Sequence, residues 1–257
     1  MPARPRWLWD GAWTLTGNLA KVRVLEDLAA TAGPLKILDV GCAGPSPLNL
    51  WEPFLASPDA PPIEIHGVDV DAAGVEAVRR EAASRGWKQV AELQVGSAYD
   101  LPRLFAVGGF DAVVSTQVLE HLARPAEFLA GAAGALKAGG VCYVTFDSGH
   151  FPSHDPLWKR AARRVLVAFG KERYHERGLT ETEVEAMARA CGLSPVETRF
   201  YNLHPIKRIH NHEVDARAKN RFAEAWMELE DLLNEDARFL SEGKRWFSGI
   251  YMKLRKG

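Results

Sequence analysis

The order of its segments predicts an α/β fold for this chain: a doubly wound, mostly parallel sheet of about seven strands, ending in a late antiparallel hairpin and elaborated by helical insertions. Three observations carry the prediction. From residue 35 onward, short apolar runs rich in β-branched residues alternate with segments of helical spacing. The helical segments begin at an acid or a proline and end at glycine, the asymmetry that helix termini favour. Toward the C-terminus two strand-like segments flank a helical stretch. Because parallel crossovers are right-handed, the alternation places helices on both faces of the sheet.

Each element follows in order. Residues 10–32 read as a helix ahead of the first strand. The strand candidates are LKILDV (35–40), IEIHGVDV (63–70), VAELQV (90–95), FDAVVS (110–115) and VCYVTF (141–146). After the second of them, DAAGVEAVRREAASRG reads as a helix capped by Asp71 and ended by Gly86. RPAEFLAGAAGALKAGG reads as a helix entered at Pro125 and left before Gly139-Gly140. Residues 150–178 and 205–242 read as insertions. The second is mainly one long helix with Val214, Ala218, Phe222, Trp226, Leu229, Leu233 and Leu240 near one face. SPVETRFYNL and RWFSGIYMKLRK supply the hairpin. Residues 1–257 then form a single domain, with ligands expected at the C-terminal ends of the strands.

Composition narrows the class. A chain of 257 residues with 47% hydrophobic content can build one large core. A net charge of −1 gives no global pull toward nucleic acid. No apolar run approaches the roughly 18 residues of a membrane span, and the N-terminal segment lacks the pattern of a secretory leader. Cys42, Cys142 and Cys191 lie far apart in apolar company, as reduced thiols of a cytoplasmic protein do.

The stretch KILDVGCAGPSPLNLW (36–51) contains the informative turn. A dinucleotide fingerprint begun at Gly41 needs glycine at 43 and 46, where the chain has Ala43 and Ser46. Pro45 and Pro47 have no N–H to offer a pyrophosphate, and no Gly-Lys-Ser/Thr follows. This disfavours a nicotinamide oxidoreductase. Gly41 and Gly44 still permit close approach, while Asp39 suits an ammonium better than a phosphate. Asp69, ending the second strand, stands where an acid accepts from ribose hydroxyls. Together they point to a nucleoside that carries an amino acid.

The motifs ILDVGCAGPSP, HGVDVD, LQVGSAYDLP, FDAVVSTQVLEHL and ALKAGGVCYVTF, in this order and spacing, resemble those of class I S-adenosylmethionine-dependent methyltransferases, whose sheet is Rossmann-like. The likeness covers residues 35–146 and is greatest to the small-molecule group that includes ubiquinone-pathway O-methyltransferases. It implies an enzyme of the EC 2.1.1 type that binds S-adenosyl-L-methionine and releases S-adenosyl-L-homocysteine. It implies that Gly41 and Gly44 line the methionine portion with Asp39 near its amino group, that Asp69 binds the ribose, and that Ser97 and Ala98 meet the adenine edge. Cys42, Ala43, Val70 and Gln117 complete the implied donor shell. Ala43 and Ser97 depart from the usual glycine and aspartate.

Methyl transfer to a hydroxyl needs a base, and His121, His150 and His154 are the candidate catalytic residues. Some related O-methyltransferases carry E-x-x-E-H and bind a divalent metal. Here Gln117 replaces the first acid, so no metal is expected, and Glu120 with His121 forms the weaker metal-binding alternative. Between Lys159 and Arg177 seven basic residues face two acids, interleaved with apolar positions. This basic amphipathic segment reads as a lid over the acceptor pocket, with peripheral membrane contact through 157–169 as the second reading. The expected partner is a small-molecule acceptor, methylated at oxygen. An RNA methyltransferase and a non-catalytic donor-binding protein are the alternatives, and the oligomeric state is left open.

Overall fold

In a computed structural model of the protein, residues 4–9, 18–43, 50–151, 176–212, 214–215 and 218–257 are described, together with Trp158, Ala162 and 165–167. One seven-stranded sheet is built from β1 (Leu35–Val40), β2 (Ile63–Asp69), β3 (Val90–Val95), β4 (Phe110–Thr116), β5 (Leu136–Asp147), β6 (Leu193–Leu203) and β7 (Phe247–Lys256). The strand order is β3-β2-β1-β4-β5-β7-β6, with β7 antiparallel to both neighbours and the other pairings parallel. The order reverses between β1 and β4, and the crevice above such a switch point is where a ligand enters an open α/β sheet.

Two apolar layers sandwich the sheet. On one face lie α1 (Arg6–Trp9), α2 (Leu19–Ala29), α3 (Glu52–Ala56) and α4 (Ala72–Arg85), with Leu25, Trp51 and Val75 packed on Ile37 and Tyr251. On the other lie α5 (Leu101–Leu104), α6 (Pro125–Ala135) and α7 (Glu181–Ala190), with Phe128 and Val184 packed on Leu38 and Val144. Side chains alternate along a strand, so Ile37 and Leu38 serve opposite layers. Asp39 therefore emerges on the α2 face.

Local signals account for the helix ends. The Asp71 side chain accepts from the Ala73 N–H at 3.1 Å, and Gly86 closes α4 in the left-handed conformation at φ 68°. Thr180 and Glu183 form a reciprocal capping box on α7.

Several expectations are corrected. The helix expected over 10–32 is described as α2 over Leu19–Ala29, residues 10–17 lying outside the described set. Helix α6 ends at Ala135, and Gly139 (φ 74°) bends the start of β5 instead of following the helix. The second insertion is not mainly one long helix but α8 (His204–His212), α9 (Lys219–Glu235) and α10 (Ala237–Gly243). Asp236 breaks the last two apart. It is extended, and its carboxylate caps α10 by accepting from the N–H groups of Arg238 and Phe239, both at 2.9 Å.

The buried face of α9 is also rotated from the expected stripe. It presents Ala223, Trp226, Met227, Glu230 and Asp231 inward, while Leu229 is 42% exposed. The two acids turn in because unsatisfied donors wait there. Glu230 accepts from the Asn202 N–H at 2.9 Å and Asp231 from the Tyr201 hydroxyl at 2.6 Å. Of the expected lid helix, Trp158, Ala162 and 165–167 are helical, and Trp158 is 72% exposed, so this ring does not pack on the core. Among the described residues no helix is long and apolar enough to cross a membrane.

Candidate active site

The turn after β1 is held from below by β2. The N–H groups of Gly41 and Cys42 both donate to the Val68 carbonyl, at 2.8 and 3.3 Å. Gly41 has φ 91°, and a Cβ there would lie 2.3 Å from Val118 Cγ2. Glycine is thus required twice, by backbone and by space. At the end of β2 the Asp69 carboxylate accepts the Ala43 N–H through Oδ2 at 3.0 Å and the Asp71 N–H through Oδ1 at 2.9 Å. Both oxygens are thereby oriented, and each keeps lone-pair capacity for a ligand hydroxyl. The Asp69 carbonyl accepts the Gly96 N–H at 2.9 Å, which brings Ser97 and the buried Ala98 beside it. Gly44 lies outside the described residues. Cys42 is buried, and burial pushes its thiol far above its ordinary range. Val70 is 73% exposed.

Above Asp39 stands a cluster of charged groups. Its Oδ2 accepts the Trp51 indole N–H at 2.7 Å. Burial pushes the carboxyl up to about 6, opposed by that bond and by the Lys21 ammonium. Lys21, in the first turn of α2, also faces Glu120, and burial lowers its own pKa. Glu120 sits in the single 3-10 turn after β4 (Leu119–His121) and is 2% exposed. Its Oε2 has no hydrogen-bond partner, and burial lifts it to about 8. Beside it Gln117 adopts φ 58°, donates its N–H to the Thr145 carbonyl at 2.8 Å, and leaves Nε2 buried without a partner. Asp147, at the end of β5, is raised by burial and held down by Lys207 of α8 and by His121.

The remaining histidines separate. His121 is exposed beside Asp147, at the edge of this cluster. His150 Nε2 lies 2.6 Å from Glu181 Oε2, and Lys244 Nζ lies 2.6 Å from the other oxygen of the same carboxylate. That contact pins the loop after β5 to the start of α7. His66 is bracketed by Glu64 at 2.6 Å and Glu92 at 3.2 Å on the sheet. His210 is buried, with ring centroids 5.9 Å from Phe222 and 5.6 Å from Trp226. His154 and His175 lie outside the described residues. Among the described residues no three His, Cys, Asp or Glu side chains are grouped to hold a metal ion.

Lys21, Trp51 and Lys207 were missed by sequence reasoning. A lysine in an amphipathic helix looks solvated, and no local signal tells which one turns inward.

The residues fit S-adenosylmethionine: a glycine turn with no room for a side chain at Gly41, a buried acid beneath it, an oriented carboxylate at the second strand end, and orphaned polar atoms at Gln117 and Glu120. Residues 38–144 match the methyltransferase domain family. The chain is 26% identical over 200 residues to the ubiquinone biosynthesis O-methyltransferase of Thiobacillus denitrificans, covering 77% of this chain and 81% of that protein. It is 35% identical over 104 residues to the demethylmenaquinone methyltransferase of Symbiobacterium thermophilum, covering 40% and 39%. The fold is shared with phosphoethanolamine N-methyltransferase 2 of Haemonchus contortus, solved with S-adenosyl-L-methionine, at a TM-score of 0.60 and 14% identity, over 92% of this chain and 52% of that one. The fold, the site and the domain match thus describe a methyltransferase whose residues suit S-adenosylmethionine. The methyltransferase-domain match runs from β1 into β5, the part of the sheet that holds the glycine turn and the two strand-end acids.

Proposed function

We propose that the protein methylates a hydroxyl oxygen of a small-molecule acceptor, with Glu120 as the group that takes the hydroxyl proton. The observation that carries this reading is the buried, unpartnered Oε2 of Glu120, directly after β4. A carboxyl group isolated from water is a stronger base once ionised than one at the surface. When bound, S-adenosylmethionine supplies an electrophilic methyl group on a sulfonium sulfur. Asp39 receives its ammonium, Lys21 its carboxylate, Asp69 the ribose hydroxyls, and Ser97 with Ala98 the adenine edge. Exclusion of water by Trp51 and the α2 layer strengthens each of these contacts. His121, exposed and next to Glu120 in the chain, passes that proton on to solvent on this reading. His150, engaged with Glu181, serves the fold on this reading.

Carbon is the alternative acceptor atom, favoured by the match to the demethylmenaquinone methyltransferase. The test is a methyl-transfer screen over phenols, catechols, carboxylic acids and amines, read by S-adenosylhomocysteine release. A hydroxyl acceptor whose kcat/KM rises with pH toward about 8, with that rise abolished in Glu120→Gln, supports the assignment. Turnover of hydroxyl acceptors by Glu120→Gln with an unchanged pH profile would exclude Glu120 as the base.

A further inference from the structure

We propose that Asn202 is a positioning residue for the methyl donor, acting by capping α2 from the far end of the sheet so that Lys21 faces the donor turn. The inference rests on the reading above that Lys21 receives the donor's carboxylate. Asn202 is the next-to-last residue of β6 and is 2% exposed. Its φ is 66°, a left-handed conformation that a buried non-glycine residue adopts only when its surroundings hold it there.

Those surroundings engage every polar atom of the residue. Asn202 Oδ1 accepts the Leu19 N–H, the first of α2, at 2.7 Å. Its Nδ2 donates to Asn18 Oδ1 at 3.1 Å. The Asn202 N–H donates to Glu230 Oε2 at 2.9 Å, and its carbonyl accepts the Ser248 hydroxyl at 3.1 Å. Close packing reinforces the grip, since a Cβ at Gly249 would lie 2.5 Å from Asn202 Nδ2.

Asn18 occupies the N-cap of α2, a position where asparagine ordinarily caps its own helix, yet its side chain makes no cap hydrogen bond. It turns outward to Asn202, and Asn202 caps the helix in its place. Lys21 follows two residues after the capped Leu19, and its own N–H donates to the Asn18 carbonyl at 3.2 Å. The Lys21 ammonium, whose charge acts on Asp39 and Glu120, is therefore carried on a helix capped by a residue 183 positions from Leu19 in sequence. Glycine at 202 would satisfy the backbone more easily. What asparagine adds is the tertiary cap.

A double-mutant cycle on the full chain tests this, read by calorimetric titration with S-adenosylhomocysteine. Asn202→Gly keeps the backbone conformation and removes the cap; Lys21→Met removes the ammonium. Each change is expected to weaken binding about tenfold. The double variant is expected within about twofold of Lys21→Met alone, because the cap acts through that ammonium. A residue that only supports the fold would lower the unfolding temperature without this coupling. Asn202→Gly with wild-type affinity, or effects that add in full, would overturn the proposal. Lys21→Met with wild-type affinity would instead sink the donor-carboxylate reading, and the positioning role with it. Should Asn202→Gly fail to fold, Asn18→Ala removes the amide's partner. It should weaken binding about threefold in the wild-type background and not at all beside Lys21→Met; equal losses in both backgrounds would overturn the proposal.

Discussion

Trp51 and Asp39 form a buried pair in which the indole N–H donates to the carboxylate at 2.7 Å, just beneath the turn after β1. The bond opposes the burial that lifts Asp39 to about 6. Trp51→Phe keeps the ring's bulk and removes the donor. Losing a hydrogen bond to a charged group costs about 2 kcal/mol, which chemical denaturation will measure. The Asp39 carboxyl rises further and is protonated more at pH 7, so the donor's ammonium loses its partner. Affinity for S-adenosylhomocysteine should fall at pH 7 and recover in part at pH 8.5. A uniform loss at both values would mean that Asp39 titration is not involved.

Gly41→Ala meets two obstacles, the positive φ of 91° and Val118 Cγ2 at 2.3 Å from the new Cβ. A destabilisation of roughly 2–3 kcal/mol and loss of donor binding are expected. Adding Val118→Ala removes the collision but not the backbone strain, so the double variant should recover part of the stability. Full recovery would show that the positive φ carries no penalty there.

Glu120 gives stability a defined pH slope. Its folded-state pKa is raised from the ordinary 4.5 to about 8, so the folded chain retains a proton that the unfolded chain releases. Its contribution is present in full below about pH 4.5 and is lost as pH rises toward about 8. Glu120→Gln removes that loss. The ligand-free variant should be more stable than wild type at pH 8.5, by roughly 2 kcal/mol. The gap should shrink toward pH 5. Parallel stability curves for the two proteins would contradict a buried, titrating Glu120.

Trp158, in the segment read as a lid, is 72% exposed. Trp158→Ala should leave the unfolding free energy within about 0.5 kcal/mol of wild type. A loss above about 2 kcal/mol in the ligand-free protein would mean that this ring packs on the core.

The strands and most helix ends were legible because their signals are local. Asp71 reaches a backbone N–H two residues away, and Gly86 needs only its own missing side chain to turn left-handed. The positions of Asp39 and Asp69 were legible for a related reason. Asp39 is next to last in β1 and Asp69 is last in β2, and the topology of a parallel sheet brings strand ends together whatever lies between them. The misjudged face of α9 shows where this kind of reading stops. Periodicity counts apolar residues, and Glu230 and Asp231 look solvated until β6 is seen to offer N–H groups and a tyrosine hydroxyl to them.

Order along the chain therefore settled the sheet, its switch point and the acids at its edge, since these depend on backbone propensity and on residues a few positions apart. Which lysine enters the site, which indole steadies Asp39 and which asparagine caps α2 were settled by tertiary packing alone. Their partners lie 12 to 183 residues away, and burial rather than residue type decides what each group does.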